Sequence, residues 1–332
     1  AQARRGLPPA AAGRLCPSFS VLAPPRGRRV RRMPEAEPAE GEAAPEPQPV
    51  QPLPDEELEV RQACYDSIFA EFGAIDLKEK SRAERKENEK QDIKSLTYSE
   101  LDVPTMHQLL NKVKRDHGPL FESKGIFLDL GSGAGKACIA AGLLHPFQKV
   151  VGIECMQCLN SASTAAAAKY QEAQLPEGVI KPEVEFIQGD FVSEFEAKLE
   201  AIAPEVVVCL AVSTCFGEAE LNAMGTMASK MPDESVFITF TQGLPESLVI
   251  DLDRNPAQRR CVAVKKALAK RGVEPSSVEI NVEPPANDPF GWTLVHTERM
   301  QTLGGASTCF IYKKIVVPGL RPEPPAEETP PE

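Results

Sequence analysis

From residue 126 onward, short apolar runs alternate with longer stretches of helical periodicity. Apolar runs at 126–130, 149–153, 183–188, 205–212 and 235–241 read as strands, each flanked by turn residues. Stretches 136–144, 156–174, 193–202, 218–230 and 256–271 read as helices. Each of the first five strands precedes a helix, which predicts a mostly parallel sheet covered on both faces. Two further strands, 292–299 and 307–314, are separated only by a turn at Gly304-Gly305, so they should pair as an antiparallel hairpin. The expected architecture is α/β: a Rossmann-like seven-strand sheet, mostly parallel, ending in an antiparallel hairpin.

A different pattern precedes the sheet. Leu58, Cys64, Ile68, Phe69 and Phe72 recur at helical spacing, and Gly73 ends the run. Residues 76–94 are nearly all charge with signs interleaved, which predicts a solvated helix laced with i,i+4 pairs. Thr97-Tyr98-Ser99-Glu100 leads into a second amphipathic helix with the stripe Met106, Leu109, Leu110 and Val113, stopped by Gly118-Pro119. His107 is expected on its surface. The division that follows is a helical lead-in over 55–118, positioned to cover a ligand, and a catalytic-type α/β domain over 119–317.

Composition adjusts the ends. Thirty-one prolines crowd toward the two termini. Residues 1–34 hold eight arginines and no acid, which suits an organelle transit peptide or a disordered stretch upstream of Met33. The Pro/Glu/Ala alternation of 34–54 cannot bury enough apolar surface to order itself, so 1–54 are expected to be disordered and 318–332 a loose tail. The formal charge of −11 argues against a global nucleic-acid binder. No run approaches the roughly 18 apolar residues of a membrane helix. Nine scattered cysteines, several in apolar strands, look like free thiols rather than a disulfide framework.

The chemistry starts at Ile126-Phe-Leu-Asp-Leu-Gly-Ser-Gly-Ala-Gly-Lys136. A strand, a glycine turn and a small-residue helix let the backbone approach a nucleotide, and the helix N-terminus offers free N–H groups. A dinucleotide fingerprint needs G-x-G-x-x-G, and here the third glycine comes one residue early. The G-x-G-x-G form behind an acid, Asp129, suits S-adenosylmethionine (SAM), whose ammonium a carboxylate can hold. That makes Asp129, Gly131, Ser132, Gly133, Gly135 and Lys136 candidate cofactor residues.

Ligands of open α/β sheets lie beyond the carboxyl ends of the strands. Glu154 ends the second strand, where a carboxylate can accept both ribose hydroxyls; this also fits NAD. Gly189-Asp190-Phe191 follows the third, where Asp190 can take an adenine amino group while Phe191 packs on the ring. Asp190 could equally be a turn residue capping the next helix. Ser213-Thr214-Cys215-Phe216 follows the fourth strand, where a reacting group would meet the donor. Its hydroxyls and carbonyls could orient a nucleophile, or it could be a plain strand end.

Other features suggest structure more than chemistry. Cys155-x-x-Cys158 has no second pair and reads as packing rather than zinc or redox. The four histidines, 107, 117, 145 and 296, make no metal spacing. Helix 256–271, basic through Arg259, Arg260, Lys265, Lys266, Lys270 and Arg271 with Arg254 just ahead of it, reads as a solvated face able to meet nucleic acid.

Tyr98-Ser-Glu100, Phe127-Leu-Asp-Leu-Gly-Ser-Gly-Ala-Gly135, Val151-Gly-Ile-Glu154 and Gly189-Asp-Phe191 together resemble the non-SET histone-lysine methyltransferases, the disruptor-of-telomeric-silencing family, over about residues 95–245. The resemblance implies a lead-in folded over SAM, with Tyr98, Glu100, Asp129, Gly131, Glu154, Asp190 and Phe191 as cofactor contacts. This chain has Lys136 where the family usually has Gln. It has Ser213-Thr-Cys-Phe216 where the family has Asn-Asn-Phe, so only Phe216 carries over there.

The implied reaction is in-line attack of a neutral lysine amine on the sulfonium methyl, driven by positioning and desolvation. Tyr98, Ser213 and Phe216 are the candidate catalytic residues. Tyr98, Phe216 and Trp292 are candidates for an aromatic-walled lysine channel. A histone or nucleosome would be the protein partner and the nucleus the compartment, or an organelle if 1–34 is a transit peptide. The alternatives are methylation of another protein, RNA or a small molecule, a catalytically silent SAM-binding module, or an NAD dehydrogenase. The glycine spacing and terminal hairpin argue against the last.

Overall fold

The computed structural model describes residues 48–175, 177–249, 290–302 and 305–316. The basic helix expected at 256–271, most of the N-terminal 54 residues and the tail after 317 lie outside them.

The sheet is built around β1 (Ile126–Leu130), in which all five residues are buried. An apolar run with only one polar residue suits a central strand covered on both faces. It pairs in parallel with β2 (Lys149–Glu154) on one side and β4 (Val206–Ala211) on the other. β3 (Glu183–Gln188) extends the sheet beyond β2, and β5 (Val236–Phe240) extends it beyond β4, both in parallel. β7 (Gly305–Val316) then inserts antiparallel between β5 and β6 (Phe290–Thr302). The seven-strand order is β3-β2-β1-β4-β5-β7-β6. The hairpin is therefore as expected, though longer than the apolar pattern suggests, with a register shift between Leu294 and His296.

Period-two alternation divides the core in two. Phe127, Val150, Val208, Leu210, Ile238 and Ile311 face a helical layer, while Ile126, Leu128, Leu130, Val151 and Phe237 face the other side. On the first face lie α1 (Asp55–Phe69), α3 (Val103–Lys112), α4 (Lys136–Leu144) and part of α5 (Gln157–Glu172). α4 has eight of its nine residues buried, which its uniformly small and apolar sequence permits. On the second face lie α6 (Phe195–Lys198), a single turn where a longer helix was expected, and α7 (Glu218–Lys230).

The lead-in is helical as its pattern predicts. α1 starts after Pro54 with Asp55, Glu56 and Glu57 in its first turn, where carboxylates meet the positive helix end. α2 (Ala74–Glu87) is the charged helix, burying only Leu77 and Ser81. α3 is capped by Asp102, whose carboxylate accepts the Thr105 amide at 2.8 Å. His107 is not on its surface, contrary to its expected place. It is 7% exposed, with Nε2 2.9 Å from the Leu53 carbonyl, because the chain ahead of α1 folds back over this face.

Candidate cofactor and acceptor site

The chain order reverses between β1 and β4, and the site lies outside the carboxyl ends of these strands. The glycine turn opens it. Gly131, Gly133 and Gly135 all have positive φ, at 80°, 55° and 79°. The amides of Gly131 and Ser132 both donate to the Ile153 carbonyl at 3.0 Å, which ties the turn to β2. A Cβ on Gly133 would stand 2.6 Å from the Tyr98 ring, and one on Gly135 would stand 2.3 Å from Phe186. These two glycines admit close approach of the lead-in and of β3.

Beneath the turn is a small recess lined by Tyr98, Glu100, Asp129, Gly131, Ser132 and Lys136, among others. Lys136 Nζ lies 2.7 Å from Glu100 Oε2 and 5.6 Å from the centre of the Phe69 ring. The Tyr98 hydroxyl donates to the other Glu100 oxygen. Asp129 is 2% exposed, and its Oδ1 has no partner among the described residues. Burial, with Glu154 nearby, raises its pKa to about 7. The Ser132 hydroxyl beside it is also buried without a partner. An orphaned carboxylate oxygen and an orphaned hydroxyl under a glycine turn fit a ligand carrying an ammonium group.

A larger cavity of about 540 Å³ continues from this recess. Glu154, Asp190, Phe191, Thr214 and Phe216 line it, opposite Lys90, Ile93, Ser95, Leu96, Thr97 and Tyr98 of the lead-in. Glu154 Oε2 accepts the Gly133 amide at 2.9 Å and Oε1 the Met156 amide at 2.8 Å, while burial pushes its pKa up. Asp190 is exposed at the rim, its Oδ1 accepting the Val192 amide at 2.9 Å, so the turn reading also describes it. Phe191 packs on Phe216 with ring centres 5.6 Å apart.

Two expected positions fall elsewhere. Ser213 is fully buried and its hydroxyl is shared by the carbonyls of Phe240 and Gln242, each at 2.7 Å. It pins the end of β4 to β5 and is not among the cavity-lining residues, whereas Thr214, Cys215 and Phe216 are. Trp292 is 1% exposed, packed edge-on against Phe237, with its indole N–H donating to the Ala228 carbonyl at 3.2 Å. It belongs to the core behind α7, not to a channel wall.

Several lining residues escaped the sequence reading. Thr302 and Ser307 reach the cavity from the hairpin, and Glu220 from the start of α7. Glu220 had a signal: Gly217-x-x-Glu220 forms a capping pair, with the Gly217 amide donating at 2.9 Å. Cys155 also lines the cavity, its thiol pushed up to about 12 by burial and by Glu154.

A sheet in this order, with the last strand inserted antiparallel and a glycine turn and acids at the reversal point, is the fold of the class I SAM-dependent methyltransferases. Within that class, residues 82–270, more than half of the chain, match the family described as Histone methylation protein DOT1, and the chain belongs to that family. No curated protein sequence matches it.

Among solved structures it is similar to an arsenic(III) S-adenosylmethionine methyltransferase from Chlamydomonas reinhardtii, at 18% identity over 60% of this chain and 65% of that one, TM-score 0.34. It is also similar to an rRNA methylase from Streptococcus thermophilus, at 10% identity over 58% of this chain and 89% of that one, TM-score 0.32. It spans 59% of the length of a Pyrococcus horikoshii protein it also resembles, at 10% identity over 59% of this chain, TM-score 0.33.

Proposed function

We propose that this protein is a SAM-dependent protein-lysine methyltransferase that acts on a core histone in the nucleus. The observation that carries the reading is the recess in which Asp129 keeps an unpartnered buried oxygen beneath the glycine turn, continuous in lining with the larger cavity. Asp129 and Ser132 would hold the amino-acid end of SAM, with Glu100 and Lys136 beside them and the bare backbone of Gly131 and Gly135 shaping the turn. Glu154 would take the ribose, and Asp190 and Phe191 the adenine. When bound, SAM supplies an electrophilic methyl on a sulfonium sulfur.

The chain's own contribution at the acceptor end is shape and dryness. Phe216, which packs on Phe191, and Tyr98 of the lead-in both line the cavity, so an entering amine loses water as it meets them. Glu220 there already accepts the Gly217 amide at the start of α7. A lysine amine would therefore shed its proton to solvent before entering, and positioning would supply most of the rate. The histone assignment rests on the family.

The test is incubation of the full chain with methyl-labelled SAM and, separately, nucleosomes, free histones, RNA and whole lysate. Label on a histone lysine is expected. Label only on RNA or on a small molecule would sink the substrate assignment, and label on nothing would favour a silent SAM-binding module.

A further inference from the structure

α5 begins directly after the turn that carries Glu154, yet its own N-cap, Met156, supplies no side-chain hydrogen bond. Its first amides are satisfied from far away in sequence. Glu84 of α2 accepts the Gln157 amide through Oε1 and the Cys158 amide through Oε2, both at 2.7 Å. A bidentate carboxylate at a helix N-terminus combines two charge-assisted hydrogen bonds with a favourable dipole. Burial would raise the Glu84 pKa, but donors from Cys158 and Gln157 hold it below the usual glutamate range.

The same seam has an apolar half. Leu77 of α2 clusters with Met156, Leu159 and Ala162 of the α5 side and with Tyr98 of the lead-in. Past α2 the chain runs along the cavity from Lys90 to Ser99. Its far end lies against the Ser213–Cys215 turn that follows β4. This strap thus runs along the cavity, and Glu84 fastens the side next to Glu154 at the N-terminus of α5.

We propose that Glu84 is a positioning residue for the cofactor: it latches the strap to the N-terminus of α5 and so slows release of SAM. The proposal rests on the SAM reading above and assigns a regulating contact that touches neither donor nor acceptor. A latch acts on how long the ligand stays, so its loss should appear in the dissociation rate.

The experiment measures SAM association and dissociation on the full chain and on Glu84→Ala and Glu84→Gln. Dissociation should accelerate at least about tenfold in Glu84→Ala, which loses both charge-assisted hydrogen bonds at a half-exposed site, and less in Glu84→Gln. Association should not fall. Val184→Ala, which loosens the buried packing of β3 without touching the strap, serves as a destabilised control and should release SAM at the wild-type rate. Unchanged dissociation in both Glu84 variants overturns the latch, as does equal acceleration in Val184→Ala. A wild-type chain that binds no SAM overturns both the latch and the methyltransferase reading.

Discussion

Lys136 Nζ sits 2.7 Å from Glu100 Oε2, and the two side chains are only 13% and 10% exposed. The pair joins the first residue of α4 to the lead-in, so it fastens the lead-in across the recess. Removing one partner leaves the other charge buried and unpaired. Lys136→Met should therefore cost about 3 kcal/mol of stability in urea denaturation. Adding Glu100→Gln should restore part of the loss, because the stranded carboxylate is gone. A double variant no more stable than Lys136→Met would show that the two residues do not act as a pair.

Asp129 sets a pH dependence whose direction is fixed. Its folded pKa is raised to about 7, above that of an unfolded aspartate. Between these values the folded state holds the proton and the unfolded state does not, so stability falls as pH rises from about 4 to about 7 and levels off above that. Wild type should lose stability relative to Asp129→Asn between pH 5 and pH 8. SAM affinity should rise over the same interval, since the carboxylate that faces the ammonium is then formed. Calorimetric titrations across that range check both.

Gly133→Ala should damage the lid from below. The position has φ 55°, which costs a non-glycine residue about 1 kcal/mol, and the new Cβ would stand 2.6 Å from the Tyr98 ring. The expected result is lower stability together with weaker SAM binding. Combining it with Tyr98→Ala should relieve the stability loss that comes from the clash, while binding stays poor.

Ser213 and Phe216 stand three residues apart and should respond oppositely. Ser213→Ala removes a buried hydroxyl bonded to two carbonyls, for about 1–3 kcal/mol of stability, and should leave kcat unchanged. Phe216→Ala strips the wall beside Phe191, so methyl transfer should fall at least about tenfold while SAM still binds. A Ser213 variant that folds normally but cannot transfer methyl would return that hydroxyl to the chemistry.

What the sequence made legible was whatever local periodicity encodes. β1, the glycine turn and the acid ending β2 were readable because strand, turn and helix succeed one another within 30 residues. The hairpin was readable from two strands with no helix between them. That β7 and not β6 pairs with β5 was not, since register to β5 is a long-range matter. Ser213 was misread because a hydroxyl at a strand end can turn either way, and its partners, Phe240 and Gln242, are far along the chain. Trp292 looked like a channel wall because an aromatic side chain in a strand does not announce which face is core. Glu84 carried no signal at all: within a run of alternating charges, nothing distinguishes the one carboxylate that meets a helix 73 residues later.

β5 spans five residues, but β6 and β7, which continue the sheet past it, span 13 and 12. Part of the surplus overhangs the carboxyl rim and brings Thr302 and Ser307 to the cavity. The cavity wall can therefore be reshaped there by a change in hairpin length. Strand geometry also sets the step size: growth by two residues heightens the parapet with its faces preserved, whereas growth by one turns every side chain over.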